Sequence, residues 1–270
     1  LERHGSMDAY RDIKQGLLRR SKHVVLNADD ADLQSRHADW PNAQWVSASR
    51  KEYEPSNLEL WINQEDFVCS KLGALFPANA LAMPGEHNRQ NMLLVTAAAL
   101  QAGLGPQSIE RGMRSFPGVP HRLENLGSLH GMNVFNDSKA TNYDAAAVAL
   151  QAVPGPIALL AGGLSKQGDA SRWLQLLHDR VCSIALFGSD REVLLDLIRS
   201  SGYTGNLTSH PTMADAVTAA IAQGKNENAF SLLLSPACAS FDQYKDFEAR
   251  GNHFRDMIQQ HARNQSTRID

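Results

Sequence analysis

The chain has 270 residues, roughly 1.8 times a typical domain of about 150, which predicts two modest domains. Its 26 Lys and Arg stand against 29 Asp and Glu, a net of −3, too even for a dedicated nucleic-acid or anionic-membrane surface. A hydrophobic content of 43% excludes a disordered chain, while the longest apolar stretch, around 92–100, is roughly half the ~20 residues of a membrane helix.

Residues 7–21 place Tyr10, Ile13, Leu17 and Leu18 at i, i+3, i+7 and i+8, one apolar stripe of a helix that Ser6 caps. His23-Val24-Val25-Leu26-Asn27 reads as a short buried strand. From 33 to 84 the signal is weak, with small strands such as Leu58-Glu59-Leu60-Trp61-Ile62 between loops. A helix over 88–102 ends at Gly103, and another over 108–116 stops before Pro117. Past Pro120, strands at 132–136, 157–161, 183–187 and 230–235, with a weaker one near Leu207, alternate with helices at 144–152, 170–178, 190–200 and 213–223. A closing helix over 242–261 is expected to break near Gly251. Apolar strands between amphipathic helices require a parallel sheet covered on both faces. The boundary falls near Phe116-Pro117-Gly118, so 118–270 reads as a complete doubly wound α/β domain. Residues 1–117 read as the incomplete half of another, burying little by themselves.

Three strand ends carry the chemistry. Asn136-Asp137-Ser138-Lys139-Ala140-Thr141-Asn142 lies between a strand and a helix, where open parallel sheets bind ligands. A plain polar loop capped by Asn142 or Asp144 accounts for the same residues. Ala161-Gly162-Gly163-Leu164-Ser165-Lys166 follows the next strand and offers close backbone approach and a cation, or simply a tight turn. Ser235-Pro236-Ala237-Cys238-Ala239-Ser240-Phe241-Asp242 is a third loop of small and hydroxyl residues before a helix. Cys238 has no histidine near it in sequence, so a buried small hydrophobe is preferred over a nucleophile. One such loop is weak; three at the same sheet edge predict a site. Glu86-His87-Asn88-Arg89-Gln90-Asn91 opens a helix, and His121-Arg122-Leu123-Glu124 places an arginine just past the domain junction. Lys14 sits one position off the apolar stripe, where a solvated lysine is the ordinary reading. Three widely spaced cysteines (Cys69, Cys182 and Cys238) argue against a disulfide framework or structural zinc and fit a reducing compartment. Leu1-Glu2-Arg3-His4 lacks a basic n-region and an apolar h-region and is not expected to be part of a signal peptide.

In this order the motifs resemble the Mur ligases of peptidoglycan synthesis, and among them the branch that adds D-glutamate. The matching text is His4-Gly5-Ser6-Met7 with Tyr10 and Lys14, Gly85-Glu86-His87-Asn88-Arg89-Gln90-Asn91, and Phe116-Pro117-Gly118-Val119-Pro120-His121-Arg122-Leu123-Glu124. It continues with Asn136-Asp137-Ser138-Lys139-Ala140-Thr141-Asn142 and the segment from Ser235 to Arg250, the most discriminating of the set. The resemblance implies a Rossmann-like C-terminal domain over 118–270, preceded by an incomplete α/β central ATPase domain. His4 is then not the catalytic histidine, and His4-Gly5-Ser6-Met7 is family sequence rather than a cloning scar. A UDP-binding domain, a phosphate-binding loop and most magnesium ligands would lie outside the chain, which alone is expected to be inactive.

The implied reaction is ATP-dependent amide formation between UDP-N-acetylmuramoyl-L-alanine and D-glutamate through an acyl phosphate. By position, Lys14 matches a carboxylated lysine that helps hold Mg2+, and Asn91 an adenine contact. Arg122 matches a phosphate-contacting arginine with a catalytic part, and Asp137 a nucleotide contact with Lys139 beside it. Thr141, Lys166, Ser240 and Phe247 match positions that hold D-glutamate. Leu164 and Ser165 depart from the acidic or glycine residues common there. The resemblance further implies a cytoplasmic monomer with no nucleic-acid partner and no membrane insertion. Two alternatives remain open: another Mur-type or folylpolyglutamate ligase, and a Rossmann-like binding module without catalysis.

Overall fold

The computed structural model describes residues 6–49 and 58–266; His4 and Gly5 of the first motif lie outside them. The chain divides into two compact units, one of residues 1–82 with 86–116, the other of residues 83–85 with 117–270.

In the first unit, α1 (Met7–Arg20) starts where the Ser6 side chain accepts from the Ala9 amide. The stripe foreseen on it is not a core face. Ile13 and Leu17 are 59% and 61% exposed, Tyr10 is also exposed, and only Leu18 joins a buried cluster, with Trp40 and Trp45. Strands β1 (Val25–Asn27), β2 (Gln44–Ser47) and β3 (Leu58–Ile62) run parallel, and β4 (Phe67–Ser70) and β5 (Gly73–Pro77) extend the sheet antiparallel. The β3–β4 turn is set by the Asn63 side chain, which accepts from the Glu65 and Phe67 amides at 3.1 and 2.9 Å. A one-turn helix, α2 (Ala31–Ser35), follows β1. Leu60, Ile62, Val68 and Phe76 pack against Met92, Leu93 and Ala97 of α3 (Glu86–Gln101) and Ile109 and Met113 of α4 (Pro106–Ser115). Contrary to the expectation that this stretch buries little, it has a core of its own, because β2, β4 and β5 supply a sheet face too short to show as a repeating pattern.

The second unit is built on a six-stranded sheet. Its strands are β6 (Glu124–Leu129), β7 (Met132–Asn136), β8 (Ile157–Gly162), β9 (Val181–Phe187), β10 (Asn206–His210) and β11 (Ser231–Leu234). They lie in the order β10-β9-β8-β11-β7-β6. All neighbours are parallel except β6, which forms an antiparallel hairpin with β7 and makes the sheet mixed. Sequence reading misses β6 because Asn125-Leu126-Gly127-Ser128 is polar and interrupted by an irregular register at the sheet edge. From β7 the chain steps outward through α5 (Tyr143–Ala152), α6 (Ser171–Arg180) and α7 (Arg191–Ser200) to the β10 edge. It then returns through α8 (Met213–Asn226) to β11, between β8 and β7. Right-handed crossovers run in opposite directions must use opposite faces. Accordingly Ala146, Leu150, Trp173, Leu177, Leu194 and Ile198 fill one face, while Met213, Val217, Ile221, Phe254 and Ile258 fill the other. The final helix, α9 (Phe247–Ser266), is continuous through Gly251. That glycine is needed for space instead: a Cβ there would collide with the His121 ring. Residues 242–246 form a turn rather than helix, and the Asp246 side chain accepts from the Ala249 amide at 2.6 Å to start α9.

Candidate functional site

Strands β8, β11 and β7 are neighbours in register, with Leu234 opposite both Leu160 and Asn136, so their following loops leave from one edge. Loops from β8 and β11 lead to helices on opposite faces, the topology that opens a crevice in α/β sheets.

The three loops are tied to one another. After β11, the Ser235 hydroxyl donates to Asp137 Oδ2 at 3.0 Å, and the Asp137 amide donates back to the Leu234 carbonyl at 2.7 Å. Leu164 and Ala239 exchange two backbone hydrogen bonds of 2.9 Å, joining the β8 and β11 loops. Gly162 and Gly163 have φ of +133° and +128°, and a Cβ on either would collide with a carbonyl oxygen, Phe187 or Ala239. Only glycine permits this approach. Ser165 is held by Asp190, whose Oδ2 accepts from its amide at 2.8 Å and its hydroxyl at 2.6 Å. These bonds keep the Asp190 carboxyl below the usual range.

Asp137 is buried, with Oδ1 accepting from the Leu123 amide at 3.2 Å. Loss of solvent pushes its carboxyl up to about 7, against the opposing pull of Ser235, the Leu123 amide and Arg122. Arg122 is exposed beside it. Lys139 is exposed too, its Nζ 4.2 Å from the centre of the half-buried Phe247 ring, and its amide donates to the His121 carbonyl at 3.0 Å. Loop and helix start are thereby joined, although sequence reasoning assigned Lys139 and Phe247 to different ligands. Ser240 is buried, Thr141 half-buried and Lys166 exposed, each on one of the three tied loops. Lys14 and Asn91 lie in the first unit, on α1 and α3, both exposed, with the Lys14 amine 5.5 Å from the Tyr10 ring centre. Burial lowers the His121 imidazole, so its 3.7 Å approach to Glu124 is a neutral contact near pH 7.

Cys238 has no exposed surface and its thiol is pushed up to about 12 by burial, which makes it a core residue. Sequence reasoning named Arg250 on the helix after the third loop but gave it no role; it is a buried arginine spaced with Phe254, Met257 and Ile258 on one helix stripe, and a charge on an apolar stripe was the signal. It also passed over Asp190, which anchors Ser165, and named Asp242 within the third loop without the role it has here, accepting from the Ser189 amide. A depression of about 500 Å³ lined by Gly155, His178, Arg180 and Cys182 opens at the starts of β8 and β9, the opposite end of the strands from these loops. No helix is long and apolar enough to cross a membrane among the described residues.

Residues 1–99 match the family model described as the Mur ligase middle domain, and residues 121–238 match that described as Mur ligase, glutamate ligase domain. The UDP-N-acetylmuramoylalanine--D-glutamate ligase of Parasynechococcus marenigrum (strain WH8102) is 56% identical over 260 residues, covering 96% of this chain and 56% of the relative. The same-named ligase of Synechococcus elongatus (strain ATCC 33912 / PCC 7942 / FACHB-805) is 42% identical over 264 residues, 96% of this chain and 57% of the relative. The chain thus spans a little over half the length of the curated relatives it matches. Among solved structures, the UDP-N-acetylmuramate-alanine ligase of Thermotoga maritima superposes with a TM-score of 0.63 at 16% identity, over 95% of this chain and 56% of that one. MurF of Acinetobacter baumannii gives 0.63 at 18% identity with the same coverage. At such identities the likeness is one of fold. With two family regions in succession and relatives at more than half identity along nearly all its length, the chain belongs to the Mur ligase family.

Proposed function

We propose that this chain acts as part of a longer, ATP-dependent ligase that joins D-glutamate to UDP-N-acetylmuramoyl-L-alanine in peptidoglycan synthesis. The observation that carries the reading is the tying of the three loops into one rim. Thr141, Lys166 and Ser240 then offer two hydroxyls and an ammonium to a small dianion. The names of the relatives at 56% identity support the substrate pair.

In the proposed reaction the γ-phosphoryl group passes from ATP to the alanyl carboxylate, giving an acyl phosphate and ADP. The D-glutamate amine attacks the carbonyl carbon, loses a proton, and inorganic phosphate leaves. A carboxylate needs this activation because oxide is a hopeless leaving group. Positioning and charge neutralisation then do most of the work. The exposed cations Arg122 and Lys139 neutralise phosphate charge, Asp137 meets the nucleotide, Asn91 contacts adenine, and Phe247 closes the amino-acid side. Lys14, once its amine had added carbon dioxide and lost a proton, would be a carbamate that offers anionic oxygen to magnesium. Among the described residues no cluster of three acidic, histidine or cysteine side chains suits an ion, so Lys14 would be one ligand beside others. ATP and a UDP-linked substrate place the reaction in the cytoplasm.

The test is a fusion of this chain to the part of the Parasynechococcus relative that it does not span. Phosphate release that requires both D-glutamate and UDP-N-acetylmuramoyl-L-alanine is expected. Release driven by another amino acid, or by a folate, would assign the chain to a different branch.

A further inference from the structure

Arg250 has no exposed surface, and its guanidinium bonds two loops of the rim and packs beside the third. Nε donates to the Ser138 hydroxyl at 3.0 Å, and one terminal nitrogen donates to the Ser138 carbonyl at 2.8 Å. The other terminal nitrogen donates to the Cys238 carbonyl at 3.0 Å. That same nitrogen would stand 3.2 Å from a Cβ on Gly163, so it lies directly beneath the loop after β8. Ser138 passes the connection on, its hydroxyl donating to the Phe247 carbonyl at 2.8 Å.

Each of these acceptors is neutral, and no carboxylate forms an ion pair with Arg250 among the described residues. Asp242 influences it from a distance, but its Oδ2 accepts from the Ser189 amide at 3.0 Å. Burial pulls the guanidinium down to about 10, which leaves it cationic at neutral pH. A buried cation bonded only to neutral groups is costly, and a neutral donor would tie the same carbonyls together with less penalty. The charge therefore calls for a reason beyond holding the loops.

We propose that Arg250 is a positioning residue that sets the spacing of the three loops and supplies the buried positive charge that draws a dicarboxylic amino acid into their rim. The assignment rests on the D-glutamate reading above. Arg250 acts through Ser138, Cys238 and Phe247 and does not touch the substrate.

Arg250→Met and Arg250→Lys in the fused ligase test it, with thermal unfolding of each 270-residue chain measured alongside. The Met variant should raise the KM for D-glutamate about 30-fold or more and leave the KM for ATP within about twofold. The Lys variant keeps the charge and loses the planar fork, and should recover part of that loss, with a rise of about 3- to 10-fold. If the Met variant does not fold, the Lys variant decides: a rise for D-glutamate alone supports the assignment. Unchanged D-glutamate KM values, or D-glutamate and ATP values rising in parallel, overturn it while the parent fusion stays active. A parent fusion that ligates no D-glutamate overturns the functional reading and this assignment together.

Discussion

Asp137 shows what the site costs at the scale of one residue. Its carboxyl titrates at about 7 in the folded chain against 3.8 when unfolded. Between those values the unfolded chain has released a proton that the folded chain still holds. Stability therefore falls as pH rises from about 4 to 7, by at most ~4 kcal/mol, and levels above. A fold has no structural reason to bury an acid that weakens it, whereas the nucleotide contact proposed for Asp137 would give one. Asp137→Asn removes the titration. Its urea-unfolding free energy minus that of the parent should grow from pH 4 to pH 7 and then stay flat; a difference independent of pH would contradict the burial argument. The residue was legible as a candidate from its place after an apolar strand, but its protonation was not. That comes from burial among segments distant in sequence, which outweighs the opposing hydrogen bonds from the Leu123 amide and Ser235.

At the scale of elements, the loop after β8 is governed by backbone crowding more than by side-chain chemistry. Gly163→Ala must push the Cβ into the Ala239 carbonyl at a φ that L residues avoid, a loss of roughly 2–4 kcal/mol. Gly112→Ala, inside α4 with open space around it, should be neutral or stabilise by about 0.5–1 kcal/mol. Thermal unfolding of both variants checks the contrast, and equal effects would count against the crowding account. The elements themselves were readable where the pattern was plain: α4 by its amphipathic spacing, α3 as an apolar run ended by Gly103, and the alternation from β7 to β11. Edge strand β6 and the short strands β2, β4 and β5 were obscured because four to six residues of mixed polarity carry no repeat. The stripe on α1 misled for another reason. Helical spacing shows that a face is apolar, not that anything in the described chain covers it.

For the whole molecule, topology does what no single motif does. The return of β11 between β8 and β7 gathers three loops separated by up to a hundred residues in sequence, and Arg250 and the Leu164–Ala239 pair lock them together. The sequence announced three polar strand ends but not that an arginine on the last helix bonds two of them and packs beside the third. Lys14 and Asn91 belong to the other unit, so the proposed amino-acid rim is a feature of the second unit and can be tested there directly. The most direct measurement is a titration of D-glutamate into the 270-residue chain, followed residue by residue in amide NMR spectra. Saturable shifts confined to 138–142, 164–167 and 238–247, absent with L-glutamate and lost in Lys166→Ala, are the predicted result. Shifts elsewhere, such as around His178 and Arg180 at the opposite end of the strands, or no saturable response at all, would contradict it.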